Sequence, residues 1–301
     1  MLTLVNNIKP GERVDAKTKI EPTQSLILGA TGLVGGYILE HLMRGGKRPL
    51  ALSRSPQSRA GVDWFCGDLE QPDTLRFPPF ATLYCTADAK LLPAALPHLI
   101  NPSLKRAIVF SSTSVITKLD SEVVAEREML KALAEAEQEI AAACERNNVA
   151  WTILRPTLIY AEGRDTNITP LSRLIRRFGV MPLVGGAHGL RQPVHAEDLA
   201  IGAIAAASSP AAANRFYSLP GGETLSYREM VGRIFDGLRK PRRTVAIPAG
   251  LWRAIFLLAK PLFPGANVAM GIRMTKDMVF DSTPAIRDFG WNPRRFNPAF
   301  D

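Results

Sequence analysis

Three glycines carry the clearest chemical signal in this 301-residue chain. In Leu26-Ile27-Leu28-Gly29-Ala30-Thr31-Gly32-Leu33-Val34-Gly35-Gly36, a short apolar run enters a Gly-x-x-Gly-x-x-Gly turn that opens a helix. Gly29, Gly32 and Gly35 allow a tight turn, close backbone approach to a diphosphate, and close packing of the helix on the preceding strand. The helix start, around Thr31, Leu33 and Val34, offers unpaired N–H groups and a positive dipole end to an anion. A second apolar strand, Leu50-Ala51-Leu52-Ser53, follows at the spacing of a strand-helix-strand unit.

The glycine spacing resembles that of the extended and atypical short-chain dehydrogenase/reductase superfamily, and further segments carry the resemblance over about residues 24 to 300. Gly67-Asp68-Leu69 is similar to the family's post-strand aspartate beside adenine. Val109-Phe110-Ser111-Ser112-Thr113-Ser114-Val115 resembles its catalytic-serine strand. Thr152 to Tyr160, with Arg155 and Pro156, resembles the strand and loop beside the nicotinamide. Arg191-Gln192-Pro193-Val194-His195-Ala196-Glu197-Asp198-Leu199-Ala200 resembles its V-H-x-x-D-x-A element. The resemblance implies an NAD(P)-binding Rossmann fold whose cofactor contacts include Gly29, Thr31, Gly32, Leu33, Val34, Gly35, Ser53, Arg54, Asp68, Leu69, Ser111, Arg155 and Pro156.

Charge at the end of the second strand bears on which nicotinamide cofactor binds. An NAD site usually places a carboxylate there, whereas the 2′-phosphate of NADP needs a cation. Here Ser53-Arg54-Ser55, with Arg59 nearby and no carboxylate between Lys47 and Asp63, favours NADP and leaves NAD as the alternative.

The family's Tyr-x-x-x-Lys pair is missing. None of the tyrosines, at 37, 84, 160, 217 and 227, has a lysine four residues on, and the helix expected after the serine strand contains no tyrosine. Either Arg127 and Lys131 or Lys131 and Glu135 fill the two positions, and neither register supplies a phenol. Ser112 matches the catalytic serine and Lys131 is the candidate for the lysine; a serine and an ammonium can polarise a carbonyl oxygen. Arg155 reads as an anchor for a loop or carboxylate, His195 as a hydrogen-bonded bridge at a helix start, and Arg191 as the candidate for binding an anionic substrate.

Composition bounds the rest. With 46% hydrophobic residues, the chain can bury one large α/β core and a smaller lobe. The net charge of +9 comes from scattered or paired cations, such as Arg173-Arg176-Arg177 and Arg239-Lys240-Arg242-Arg243, without an RNA-binding aromatic motif. Small phosphorylated molecules or an anionic membrane are thus more natural partners than nucleic acid. Cys66, Cys85 and Cys144 lack metal-ligand spacing and read as reduced core thiols, which points to the cytoplasm. Residues 1–23 are polar, broken by Pro10, Gly11 and Pro22, and read as a loose tail rather than a secretory signal. Residues 245–263 form an apolar run interrupted by Arg253 and Lys260. Pro248 and Pro261 bracket a helix within it that is too short to cross a bilayer, and this helix either packs into a lobe or lies peripherally on a membrane.

The elements that must position these groups follow from periodicity. Strands are expected at 25–29, 49–53, 62–66, 81–85, 106–111 and 150–155, with the longest helix near 121–147. Phe216-Tyr217-Ser218-Leu219 reads as a further strand. Such alternation implies a doubly wound parallel sheet. The expected division is a nucleotide-binding part at 24–160 and 194–218, and an interleaved substrate lobe at 161–193 and 219–301.

Two functions stay open. The serine strand and substrate lobe favour an NADP-linked oxidoreductase, epimerase or dehydratase acting on a sugar-like or lipid-linked small molecule, and tip the balance toward an enzyme. The missing tyrosine favours a non-catalytic NADP-binding subunit of the complex I accessory type.

Overall fold

The computed structural model describes residues 24–117, 123–248, 250–251 and 273–300. The expected tail at 1–23 and most of the apolar run at 245–263 lie outside the described residues.

The first half alternates as its sequence implies. β1 (Ser25–Leu28), α1 (Leu33–Arg44), β2 (Leu50–Ser53), β3 (Asp63–Cys66), β4 (Thr82–Cys85), α2 (Leu92–Leu99), β5 (Arg106–Phe110), α3 (Ser114–Thr117), α4 (Val124–Arg146) and β6 (Ala150–Pro156) follow in turn. Next come β7 (Ile159–Tyr160), α5 (Ile168–Phe178), β8 (Met181–Val184), β9 (Leu190–Arg191), β10 (Val194–His195) and α6 (Ala196–Ser208). The described elements end with β11 (Arg215–Leu219), β12 (Leu225–Ser226), α7 (Tyr227–Gly237), β13 (Thr244–Ile247) and α8 (Thr283–Phe289).

Seven strands form one parallel sheet in the order β3-β2-β1-β4-β5-β6-β11. The order reverses between β1 and β4. At that switch, loops leaving the strand ends diverge to opposite faces and open a crevice.

β1 shows why its residues make a central strand. Leu26, Ile27 and Leu28 are fully buried. Ile27 packs with Ile38, Leu39 and Ala203 on the α1 and α6 face, whereas Leu26 and Leu28 pack with Leu96 and Ile140 on the α2 and α4 face. Alternate side chains point to opposite sides, so an unbroken apolar run is required only where helices cover both faces. Each such side chain contributes about 1.5–3 kcal/mol on burial.

On one face, the small residues Ala200, Ala203 and Ala206 let α6 approach α1 closely. The edge strand β3 is only half-covered, which corrects one expectation: Cys66 is exposed rather than a core thiol, while Cys85 and Cys144 are buried. A third core joins Ile168 and Ile175 of α5 to Leu183 of β8, to Met230, Ile234 and Phe235 of α7, and to Phe296. Short ladders tie this region to the loops above the sheet, with His195 opposite Tyr160 and Leu225 opposite Arg191.

Candidate nucleotide cleft and adjoining cavity

The glycine turn is sterically determined. Gly29 has φ of +78°, and a Cβ there would lie 2.6 Å from the Ala87 nitrogen and 2.7 Å from Thr86 Oγ1. A Cβ on Gly35 would lie 2.3 Å from the Gly29 carbonyl oxygen. Thr86 Oγ1 donates to the carbonyls of Leu28 and Gly29 at 3.0 and 3.1 Å, locking the end of β1 against the residues after β4. Gly32 caps α1 without a side-chain hydrogen bond, and the first turn carries no acid. The helix therefore presents its N–H groups and positive end to the crevice, the arrangement that suits a diphosphate.

Two cavities flank this turn. One, of about 440 Å³, is lined by Gly29, Thr31, Gly32, Ser53, Arg54, Asp68 and Leu69 among others. Within it, Ser53 Oγ accepts from the Ser55 N–H at 3.2 Å and Asp68 Oδ1 accepts from the Glu70 N–H at 3.0 Å. Arg54 is exposed, and Arg59 faces Glu40 at 3.7 Å. The other cavity, of about 450 Å³, is lined by Leu33, Val34, Phe110, Ser111, Leu133, Pro156 and the 164–167 loop. Thr86, Ala87 and Asp88 border both, so the two form one cleft across the sheet switch. The Ser111 hydroxyl, buried at its far end, has no hydrogen-bond partner among the described residues. A glycine cradle that any Cβ would fill, an uncapped helix start and an orphaned hydroxyl together fit a dinucleotide.

Several expected site residues are not brought to the cleft. Lys131 is 76% exposed on the outer side of α4, 3.9 Å from Glu135. The helix instead turns Leu133 into the cavity. One turn on, Glu137 is 1% exposed and binds Arg155 through Nε at 2.9 Å and NH2 at 2.5 Å. Arg155 thus points away from the cleft, its guanidinium 4.5 Å from the Phe216 ring centroid. Neither the Arg127–Lys131 nor the Lys131–Glu135 register lines the cavity, whereas Leu133 does.

A third space, about 360 Å³, adjoins the second through Ser111, Pro156, Ile159 and Asn167 and is also lined by Ser112, Thr117, Arg191, Met278 and Phe280. Ser112 Oγ accepts from the Ser114 N–H at 3.1 Å, leaving its own proton to give. Arg191 is 4% exposed and donates to the carbonyls of Leu190, Lys276 and Arg273 at 2.6, 2.7 and 2.5 Å. Burial lowers its pKa, and its bonds tie the 273–276 segment to β9. His195 caps α6, with Nδ1 accepting from the Glu197 N–H at 3.2 Å and Nε2 lying 3.4 Å from Glu162.

Sequence reading missed the 161–167 loop. Asp165 accepts from the N–H groups of Asn167, Ile168 and Thr169 and from the Thr169 hydroxyl, capping α5. An aspartate just before an amphipathic helix was the available signal. Beside it, Arg164 lines the cleft.

No family model matches the chain. The NADH dehydrogenase [ubiquinone] 1 alpha subcomplex subunit 9 of Arabidopsis thaliana is 25% identical over 279 residues, covering 82% of this chain and 67% of that protein. UDP-glucose 4-epimerase of Vibrio cholerae is 26% identical over 159 residues, covering 53% of this chain and 47% of the enzyme. The chain therefore spans about two thirds of the first relative and under half of the second. Among solved structures, UDP-glucose 4-epimerase of Thermotoga maritima with UDP-glucose has a TM-score of 0.68 at 14% identity, covering 90% of this chain and 94% of that one. MoeE5 in complex with UDP-glucuronic acid and NAD has a TM-score of 0.67 at 18% identity, with the same coverage. In fold the chain is similar to these sugar-nucleotide structures, a parallel sheet flanked by helices, and in sequence it is similar both to the complex I alpha-subcomplex subunit and to a UDP-glucose 4-epimerase.

Proposed function

We propose that this protein holds a nicotinamide dinucleotide as a bound ligand in the cleft at the head of α1, without using it for steady hydride turnover. The observation that carries this reading is Leu133, which stands where α4 faces the cleft, with Glu137 and not a lysine one turn behind it. Proton exchange with a substrate needs a titratable group within hydrogen-bond reach, and an isobutyl side chain supplies none. When bound, the nicotinamide would supply hydride chemistry; the residues present favour retention of the nucleotide over use of it. NADP is the preferred form, because Arg54 is the cation at the end of β2 and can meet a 2′-phosphate. The relative named as a complex I subunit supports a role as an accessory or redox-sensing subunit. The division into a nucleotide-binding part at 24–160 and 194–218 and a lobe at 161–193 and 219–301 belongs to the same proposal.

One observation favours a second reading. The hydroxyl-rich cavity beside Ser111 and Ser112 is contiguous with the nicotinamide end of the cleft, as an oxidoreductase, epimerase or dehydratase with a small sugar-like or lipid-linked substrate requires. Identifying the nucleotide that co-purifies and following nicotinamide absorbance across a panel of nucleotide sugars, ketones and alcohols separates the two. Retained nucleotide with no turnover supports the binding role. Turnover that Ser112→Ala abolishes establishes the enzyme instead.

A further inference from the structure

We propose that Arg164 is the cation that clamps the dinucleotide's diphosphate from across the cleft, opposite the first turn of α1; this rests on the dinucleotide reading above. Arg164 sits in the loop between β7 and α5 and lines the same cavity as Leu33 and Val34. Its guanidinium lies 4.9 Å from the Tyr37 ring centroid and donates to the Tyr37 hydroxyl. Tyr37 follows Leu33 by one helical turn, so the guanidinium is held beside the helix end that faces the crevice.

The loop is built to hold this arginine in place. Its N–H bonds the Ala161 carbonyl at 3.0 Å, and the next residue, Asp165, is buried and committed to capping α5. Among the described residues lining that cavity, Arg164 is the one basic side chain. The acids there are otherwise engaged: Asp165 in its cap, and Asp88 with the Lys90 N–H at 3.1 Å and the Lys90 ammonium at 3.3 Å. A diphosphate carries two negative charges, and a helix end offers a fraction of one in return. A planar guanidinium supplies the remaining charge and matches phosphate geometry. Tyr37 is a neutral partner that holds the group without competing for its charge.

The test is calorimetric titration of the full chain with NADPH, ADP-ribose and 2′-AMP. Arg164→Gln is expected to raise the dissociation constants of NADPH and ADP-ribose about 10- to 100-fold. It should leave 2′-AMP, which has the adenosine end and no diphosphate, unchanged. Arg164→Lys should recover part of the loss. Unchanged NADPH affinity in Arg164→Gln, or an equal loss for all three ligands, overturns the proposal. Wild-type protein that binds no dinucleotide would overturn the dinucleotide reading itself, a result the wild-type titration reveals separately.

Discussion

Glu137 and Arg155 form a two-pronged ion pair between α4 and β6, with side chains 1% and 18% exposed. It lies one turn beyond Leu133, where a proton-transfer pair would need a lysine. Breaking the pair from the acid side leaves a mostly buried guanidinium unpaired. Glu137→Ala is expected to lower unfolding free energy by about 2–4 kcal/mol, less than for a fully enclosed pair because Arg155 reaches some solvent. Glu137→Gln should fall between, and urea denaturation measures both.

The two neighbouring glycines at the start of α1 should respond oppositely to a methyl group. Gly35→Ala places a Cβ 2.3 Å from the Gly29 carbonyl oxygen, whereas the nearest atom to a Cβ on Gly36 is the Ala30 oxygen at 3.9 Å. Overpacking of this kind costs about 1–3 kcal/mol and displaces the turn. Gly36→Ala is expected to be neutral or slightly stabilising, because alanine favours the helix. Thermal melts of the two variants check this.

Cofactor preference should depend on Arg54. Arg54→Ala is expected to weaken NADPH about 10-fold and leave NADH unchanged, since only the former carries the 2′-phosphate. Equal effects on both nucleotides would remove the basis for preferring NADP.

Acid sensitivity should arise at α8. Asp288 accepts from Arg287 Nε at 2.7 Å and from the Tyr217 hydroxyl at 2.6 Å. The arginine, then the phenol, hold its carboxyl at about 2. Its folded pKa lies below the unfolded value of about 3.9, so the unfolded chain binds the proton more readily. The stabilisation is complete above the unfolded value and is lost as pH falls from about 4 toward 2. Asp288→Asn should lower the melting temperature at neutral pH and flatten its fall over that acid window.

Thiol reactivity should separate the cysteines. Burial raises Cys85 to about 12 and Cys144 to about 11, whereas Cys66 is exposed at the end of β3. At pH 8 a disulfide reagent is expected to label Cys66 in the folded protein and the other two only in denaturant.

The sheet was legible in the sequence because its determinants are local. The apolar runs at 26–28 and 107–110 are continuous, as strands covered on both faces must be, and glycine is the residue type that takes the left-handed φ found at Gly29 without steric cost. The site was legible where the backbone or a residue next to a strand end lines it, as with Arg54, Asp68 and Ser111, and not where distant segments decide. Arg191 reads from its own segment as a candidate anion binder, but the carbonyls of Arg273 and Lys276, 82 and 85 positions on, take its hydrogen bonds. Lys131 and Leu133 are two residues apart on a helix, on nearly opposite faces, and no local pattern said which face met the cleft. Arg164 gave no sequence signal, since its place depends on Tyr37 far earlier in the chain.

The central claim, a dinucleotide held at the head of α1, is tested most directly by calorimetric titration of the full chain with NADPH and NADH. Saturable binding is expected for the wild type and for Gly36→Ala, and its loss for Gly35→Ala. A flat titration of the wild type with both nucleotides at millimolar concentration would contradict it.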